Sequence, residues 1–446
     1  MSELTNKETG ELVKRYIKKA FDKAEKEFEN NVSESMYIYD YLLLSCIAME
    51  TNYKYEKWEE IGYSVCLTIK EYVERYGIHR ENYSMISGYG YVCFCVNYYS
   101  KVTGRLKKFS SNLNMLLMEG VYEKLHNSSY DFTQTECNDY DCISGIAGNL
   151  YYLLDCGRLP EELYKKSIYE MIDYLVKLTG KHEYKGAEVY NFHIKPEKQF
   201  LDIEKKEFPN GNFNFGMSHG MVAPLTALSK AYARGYNDIE VKDAIVRLKK
   251  FYDDFRIEEN GVWYWPSQLS YESFLKKKVR HDEIQYAASW CYGNTGVLCG
   301  LIITAANMGR RKEEEDLKKE LVKAMSLKIE KWYLLSPAIC HGYASLLAGK
   351  LLILNEEEGT GLRKSVETHV KEIIRLSEYS TKIAESFPDQ IENDEGHLEG
   401  YIGEYSLLNG VTGIVACFAE LFYGVTEYRK LLMNYEIGRA SCRERV

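Results

Sequence analysis

Apolar residues recur at three and four spacing through LYKKSIYEMIDYLVKLTG (163–180) and EEDLKKELVKAMSLKIEKWYLL (314–335), with lysine and glutamate between them. That period lays one apolar stripe along a helix, so both stretches predict amphipathic helices resting on a core. A second kind of segment is apolar almost throughout and begins on a small or polar residue and a glycine. Its copies are ISGYGYVCFCV (Gly88), ISGIAGNLYYLL (Gly145 and Gly148), SHGMVAPLTAL (Gly220), CYGNTGVLCGLI (Gly293 and Gly296), CHGYASLLAGKLL (Gly342) and LNGVTGIVACFAEL (Gly410 and Gly413). They return at intervals of roughly 50 to 75 residues, room for one outer and one inner helix per unit, and predict an all-α repeat array. An open solenoid and a closed ring both satisfy this pattern. Glycine at each helix start lets backbones crowd together and gathers helix N-termini at one end of the array, which in a ring is a site by construction.

Residues 181–214 break the helical period. HEYKGAEVYNFHIKPEKQFLDIEKKEFPNGNFN carries aromatics, a proline and an Asn-Gly turn signal, and reads as an inserted lobe with strand character inside one domain spanning 1–436. Its aromatics suit a peptide-binding lobe. The tail from Ile437 to Val446 abandons the apolar pattern and resembles a translated sequencing adapter, so it is set aside as non-native, Cys442 included.

Composition narrows the function. With 45% hydrophobic and 28% charged residues the chain can bury a sizeable core. A net charge of −9, with no basic stripe, argues against a nucleic-acid partner. No apolar run reaches the roughly 18 residues of a membrane span, and the N-terminus lacks a secretory signal, so a cytoplasmic protein is expected. Its twelve cysteines then read as reduced thiols, mostly small core residues. The 39 tyrosines suit a wide, partly wet cavity, or reflect compositional bias.

Three soft donors stand at two of the helix starts: Cys291 in SWCYGNTG, and Cys340 with His341 in AICHGY. Two thiolates and an imidazole suit Zn²⁺ and leave a fourth tetrahedral position open, and a helix N-terminus stabilises a thiolate. The alternative is two buried thiols and a hydrogen-bonded histidine. His219, in MSHGMV, stands at another start and is a candidate acid or base, a fourth ligand, or a partner of a carbonyl. Asp141, in YDCISG, either orients that histidine, holds a cation, or caps its helix.

WCYGNTG, ICHG, NFNFGMSHG, YDCISGIAG and NGVTG, in this arrangement from about Gly88 to Phe422, resemble the lanthionine synthetase C family of lanthipeptide cyclases. The resemblance implies an α/α toroid with a small inserted lobe. It implies zinc ligands at Cys291, Cys340 and His341, and roles in catalysis for His219, Asp141 and Tyr292. The implied reaction adds a cysteine of a dehydrated, leader-bearing precursor peptide to dehydroalanine or dehydrobutyrine, giving a thioether ring. A dehydratase and an ABC exporter are the implied partners, through which the protein would reach a membrane. Two departures stand out: family members usually carry an arginine four residues before Cys291, where this chain has Ala287, and MVAPL lacks the second glycine. Other readings stay open, namely a zinc-holding thiol or glutathione scaffold without turnover, and a thiol-alkylating zinc enzyme of another α/α toroid type.

Overall fold

A computed structural model describes residues 7–31, 37–78, 82–127, 130–156, 161–354, 361–386 and 398–434; the tail 437–446 lies outside them. Helices α1 (Lys7–Asn31), α2 (Ile38–Glu50), α3 (Tyr55–Tyr76) and α4 (Tyr89–Thr103) come first. They are followed by α5 (Lys107–Asn127), α6 (Cys137–Tyr140), α7 (Ile146–Leu153) and α8 (Glu161–Leu178). Next come α9 (Asp202–Glu207), α10 (Val222–Ala233), α11 (Ile239–Asp254), α12 (Tyr271–Lys276), α13 (Asn294–Asn307) and α14 (Arg311–Met325). The last are α15 (Tyr343–Ile353), α16 (Arg363–Ser386) and α17 (Val411–Tyr423).

Two compact units divide these elements: Met1–His79 with Tyr91–Ser110 and Met325–Tyr428, and Arg80–Gly90 with Ser111–Ala324 and Arg429–Val446. In the second unit α7, α10 and α13 are buried along most of their length, and α10 packs on both of the others. The amphipathic helices α8 and α11 cover α10 and α7 with their apolar stripes. The first unit repeats the plan, with buried α2, α15 and α17 against α1, α3 and α16. Each fully buried leucine, such as Leu298 in α13, contributes about 1.5–3 kcal/mol by burial. Leu298→Ala would cost about 2–5 kcal/mol once the cavity is counted.

Five of the six glycine-marked starts have the expected glycine directly before the helix, at Gly88, Gly145, Gly293, Gly342 and Gly410. At the sixth, Gly220 is followed by Met221 before α10 begins. The reason for glycine is close approach. A Cβ on Gly293 would lie 2.0 Å from the Ala287 carbonyl oxygen, and one on Gly296 only 1.8 Å from that of Trp290. The loop before α13 therefore lies directly on the first turn of the helix, and the Ser289 carbonyl accepts the N–H of Gly296 at 3.2 Å. That bond satisfies one of the N–H groups a helix start leaves without an intrahelical partner.

One expectation is shortened. The period that runs on to Leu335 is used only as far as Met325; a single 3₁₀ turn over Ile329–Lys331 follows, and Leu335 is 91% exposed. Residues 181–214 hold β1 (Lys181–Tyr184) and β2 (Ala187–Tyr190), an antiparallel hairpin turning on Lys185 and Gly186, both with positive φ. β3 (Asn212–Asn214) follows α9 and pairs with β6 (Gln268–Ser270), which fixes the chain just ahead of His219. β4 (Ile257–Glu259) and β5 (Val262–Tyr264) form a further hairpin around Asn260-Gly261. Among the described residues no helix is long and apolar enough to cross a membrane.

Candidate active site

The loops that start α7, α10 and α13 are laced together in the second unit. The N–H groups of Met217 and Ser218 both donate to the Cys291 carbonyl, at 2.7 and 3.2 Å. Cys142 N–H donates to the Ser218 carbonyl at 3.3 Å. Gly216 makes the approach possible, since a Cβ there would sit 2.5 Å from Cys291 O and 2.8 Å from the Tyr292 ring. Backbone bonding thus brings the side chains of Asp141, His219 and Tyr292 to one place.

Asp141 is fully buried and uses its two oxygens differently. Oδ1 accepts the N–H groups of Ser144 and Gly145, both at 2.7 Å, as a cap would; Oδ2 lies 2.5 Å from His219 Nδ1. Capping and orienting are therefore one arrangement, because the backbone bonds fix the carboxylate that fixes the imidazole. His219 keeps 28% of its side chain exposed. Burial alone would lower its pKa, but the hydrogen bond and charge of Asp141, aided by Cys291 and Glu204, outweigh burial and raise it above the usual histidine value. Tyr292 sits with its ring 6.4 Å from that of His219, and its oxygen accepts from Asn214 Nδ2 at 3.2 Å. Burial pushes its phenol pKa upward, so it stays a neutral donor at neutral pH. His219 and Tyr292 line a cavity of about 370 Å³, within the range of about 300–1,000 Å³ typical of ligand sites.

Cys291 precedes α13 in the second unit and is buried, its Sγ 3.7 Å from Ser289 Oγ. Cys340 and His341 precede α15 in the first unit; Cys340 is half-buried, while the other described cysteines are buried. His341 Nε2 lies 2.7 Å from Glu399 Oε1, and because a carboxylate only accepts, Nε2–H donates to it. A carboxylate on the far nitrogen is the usual support of a metal-binding imidazole. Cys291, Cys340 and His341 each offer one ligand atom, two sulfurs and a nitrogen, and this donor chemistry fits a metal ion of the zinc type.

Three residues near these groups escaped the sequence reading: Asn214, Glu204 and Glu399. Asn214 had a signal, since it stands in NFNFGMSHG; the other two sit in acidic stretches that look like solvated surface. Ala287 donates its N–H to Gln285 Oε1 at 3.1 Å. Arg280 does not replace the missing guanidinium: it is bound to Asp282 and Ser270 Oγ, at 3.0 and 3.2 Å, and the cavity lining holds neither lysine nor arginine.

The fold is that of an α/α toroid. A solved structure of nisin cyclase aligns with 95% of this chain and 97% of its own at a TM-score of 0.77, with 20% sequence identity. The family model for lanthionine synthetase C-like proteins matches residues 41–433, and the chain belongs to that family. The nisin biosynthesis protein NisC of Lactococcus lactis subsp. lactis is 25% identical over 358 residues, covering 79% of this chain and 78% of that protein.

Proposed function

We propose that this protein is a zinc-dependent lanthipeptide cyclase that adds cysteine thiols of a dehydrated precursor peptide to dehydroalanine or dehydrobutyrine. The observation that carries the reading is the His219–Asp141 pair opening with Tyr292 onto one cavity, in a chain of the lanthionine synthetase C-like family. In this reading the donors Cys291, Cys340 and His341 belong to one centre. Zinc held there would supply a Lewis acid that lowers the pKa of the substrate thiol.

The reaction is redox-neutral. The thiol loses its proton, sulfur bonds to the alkene β-carbon, and the alkene electron pair moves toward the carbonyl as an enolate. His219, kept protonated by Asp141, returns a proton to the α-carbon. Asn214 donates into the Tyr292 oxygen, which leaves the phenol proton for the enolate oxygen where other family members would present an arginine. The precursor's leader, a dehydratase and an exporter complete the proposed cytoplasmic setting, and residues 181–214 form the lobe that meets the peptide.

Ala287 and the absence of lysine and arginine from the cavity lining favour one other reading, a thiol-binding scaffold without turnover. Thioether formation leaves peptide mass unchanged, so the deciding assay counts alkylatable thiols in a dehydrated precursor treated with substoichiometric protein. Loss of thiols over many turnovers is expected of the cyclase. Thiols that stay alkylatable after the protein is removed would establish the scaffold.

A further inference from the structure

The cavity beside His219 and Tyr292 is lined in part by the inserted residues, among them Gln199, Phe200, Leu201, Glu204 and Asn212. Phe200 and Leu201 give the lining its exposed apolar side chains, 69% and 49% exposed. The Phe200 ring lies nearly parallel to that of His219, 6.2 Å between centroids, so this apolar lining adjoins the proposed proton donor. The same lining holds Glu204, whose carboxylate accepts only neutral donors: Gln268 Nε2 at 2.6 Å and the Leu201 N–H at 3.1 Å.

Among the described residues Glu204 has no ion pair: the neighbouring Lys205 is bound to Asp202 at 2.8 Å, and His219, whose pKa Glu204 helps to raise, is hydrogen-bonded to Asp141. Gln199 and Asn212, which also line the cavity and are 6% and 1% exposed, hold buried polar atoms without partners: Gln199 Oε1 and both Oδ1 and Nδ2 of Asn212. Buried polar atoms are normally satisfied, and unpartnered ones near a carboxylate without an ion pair suit a ligand that brings donors and positive charge.

We propose that this part of the cavity is a specificity subsite for a lysine side chain of the substrate peptide, its stem along Phe200 and Leu201 and its ammonium on Glu204. A four-carbon stem on apolar side chains with a charged head beyond them matches how lysine buries its length, and its three donors suit a carboxylate with amide oxygens nearby. The proposal rests on the peptide-binding part of the cyclase reading, because it requires a peptide in this cavity.

The test uses labelled, non-dehydrated peptides in which lysine or its uncharged isostere norleucine flanks the cysteine, with binding to the full chain read by fluorescence anisotropy. Lysine should bind about ten-fold tighter than norleucine, the scale of a hydrogen bond to a charged group. Glu204→Gln should remove that preference, so that the two peptides bind the variant equally. Equal binding of the two peptides to the wild-type chain overturns the subsite, and this comparison needs no variant to fold. A lysine preference that survives Glu204→Gln overturns it as well. The dehydrated forms of the same peptides, assayed for thiol loss, separate the two claims: ring formation without a lysine preference removes the subsite alone. A preference without ring formation from any peptide removes the cyclase reading and leaves the subsite standing.

Discussion

The starts of α13 and α15 share a plan and differ in tightness. Both place a glycine before the helix, and at both a Cβ there would run into the carbonyl six residues back, Ala287 O at 2.0 Å and Ser336 O at 2.2 Å. Three residues later they part: α13 has Gly296 under the Trp290 carbonyl, whereas α15 has Ser345, whose hydroxyl bonds Gly342 O at 2.7 Å. In α13 the loop bonds the third helical N–H, and in α15 it bonds the first two, through Ser336 O at 2.8 Å and Pro337 O at 3.2 Å. The tighter loop buries its cysteine; the looser one leaves Cys340 half-buried and the His341 side chain 43% exposed. One backbone device thus presents a thiol in either setting, and the side chain placed on it decides the chemistry.

Removing the side chains tests that equivalence most severely. Cys291→Ala and Cys340→Ala should each lower thioether formation by more than about 100-fold, beyond the loss expected for a group that only supports a ligand. A much milder loss in one of them would mean that the two starts do not contribute equally.

His219→Ala should cost on the order of 10²–10⁴ in rate, the usual worth of a positioned acid. Its pH profile carries more information. Because Asp141 raises the His219 pKa, the acid form survives to higher pH and is lost as pH rises through that raised value. The stability the pair contributes follows the same sign, full below the ordinary histidine value and lost on the alkaline side. Asp141→Asn should therefore move the alkaline limb of the rate profile to lower pH; an unmoved limb would assign that limb to another group.

Glu399→Gln should weaken zinc binding by about 10–100-fold with the ligands intact, as read by competition with a chelator. At the backbone, Gly296→Ala should destabilise the protein by about 1–3 kcal/mol through overpacking. Ser345→Ala, at the matching position of α15, should cost only about 0.5–1.5 kcal/mol, the net worth of one hydrogen bond. Equal denaturant midpoints for the two variants would erase the distinction between the loops.

The pattern of apolar runs and glycines made the two helix layers legible, because both consequences, burial and close approach, are local to each run. Asp141 and His219 were legible as candidates and their pairing as one option for Asp141, but the choice among the options was not, since 78 residues separate them and the backbone bonds through Ser218 that join their loops leave no mark in composition. Glu204 and Glu399 were hidden because an acidic residue on a surface turn looks the same whether it faces solvent or a histidine. The hairpin at Asn260-Gly261 had its turn signal in plain view, but strands of three residues are too short to show a period.

The proposed function requires that zinc binding depend on both Cys291 and Cys340. Elemental analysis of the purified wild-type chain beside Cys291→Ala and Cys340→Ala tests it most directly. One zinc per wild-type chain, lost in both variants, is the predicted result. A folded wild type without zinc, or zinc kept in full by either variant, would contradict it and make that cysteine a packing thiol.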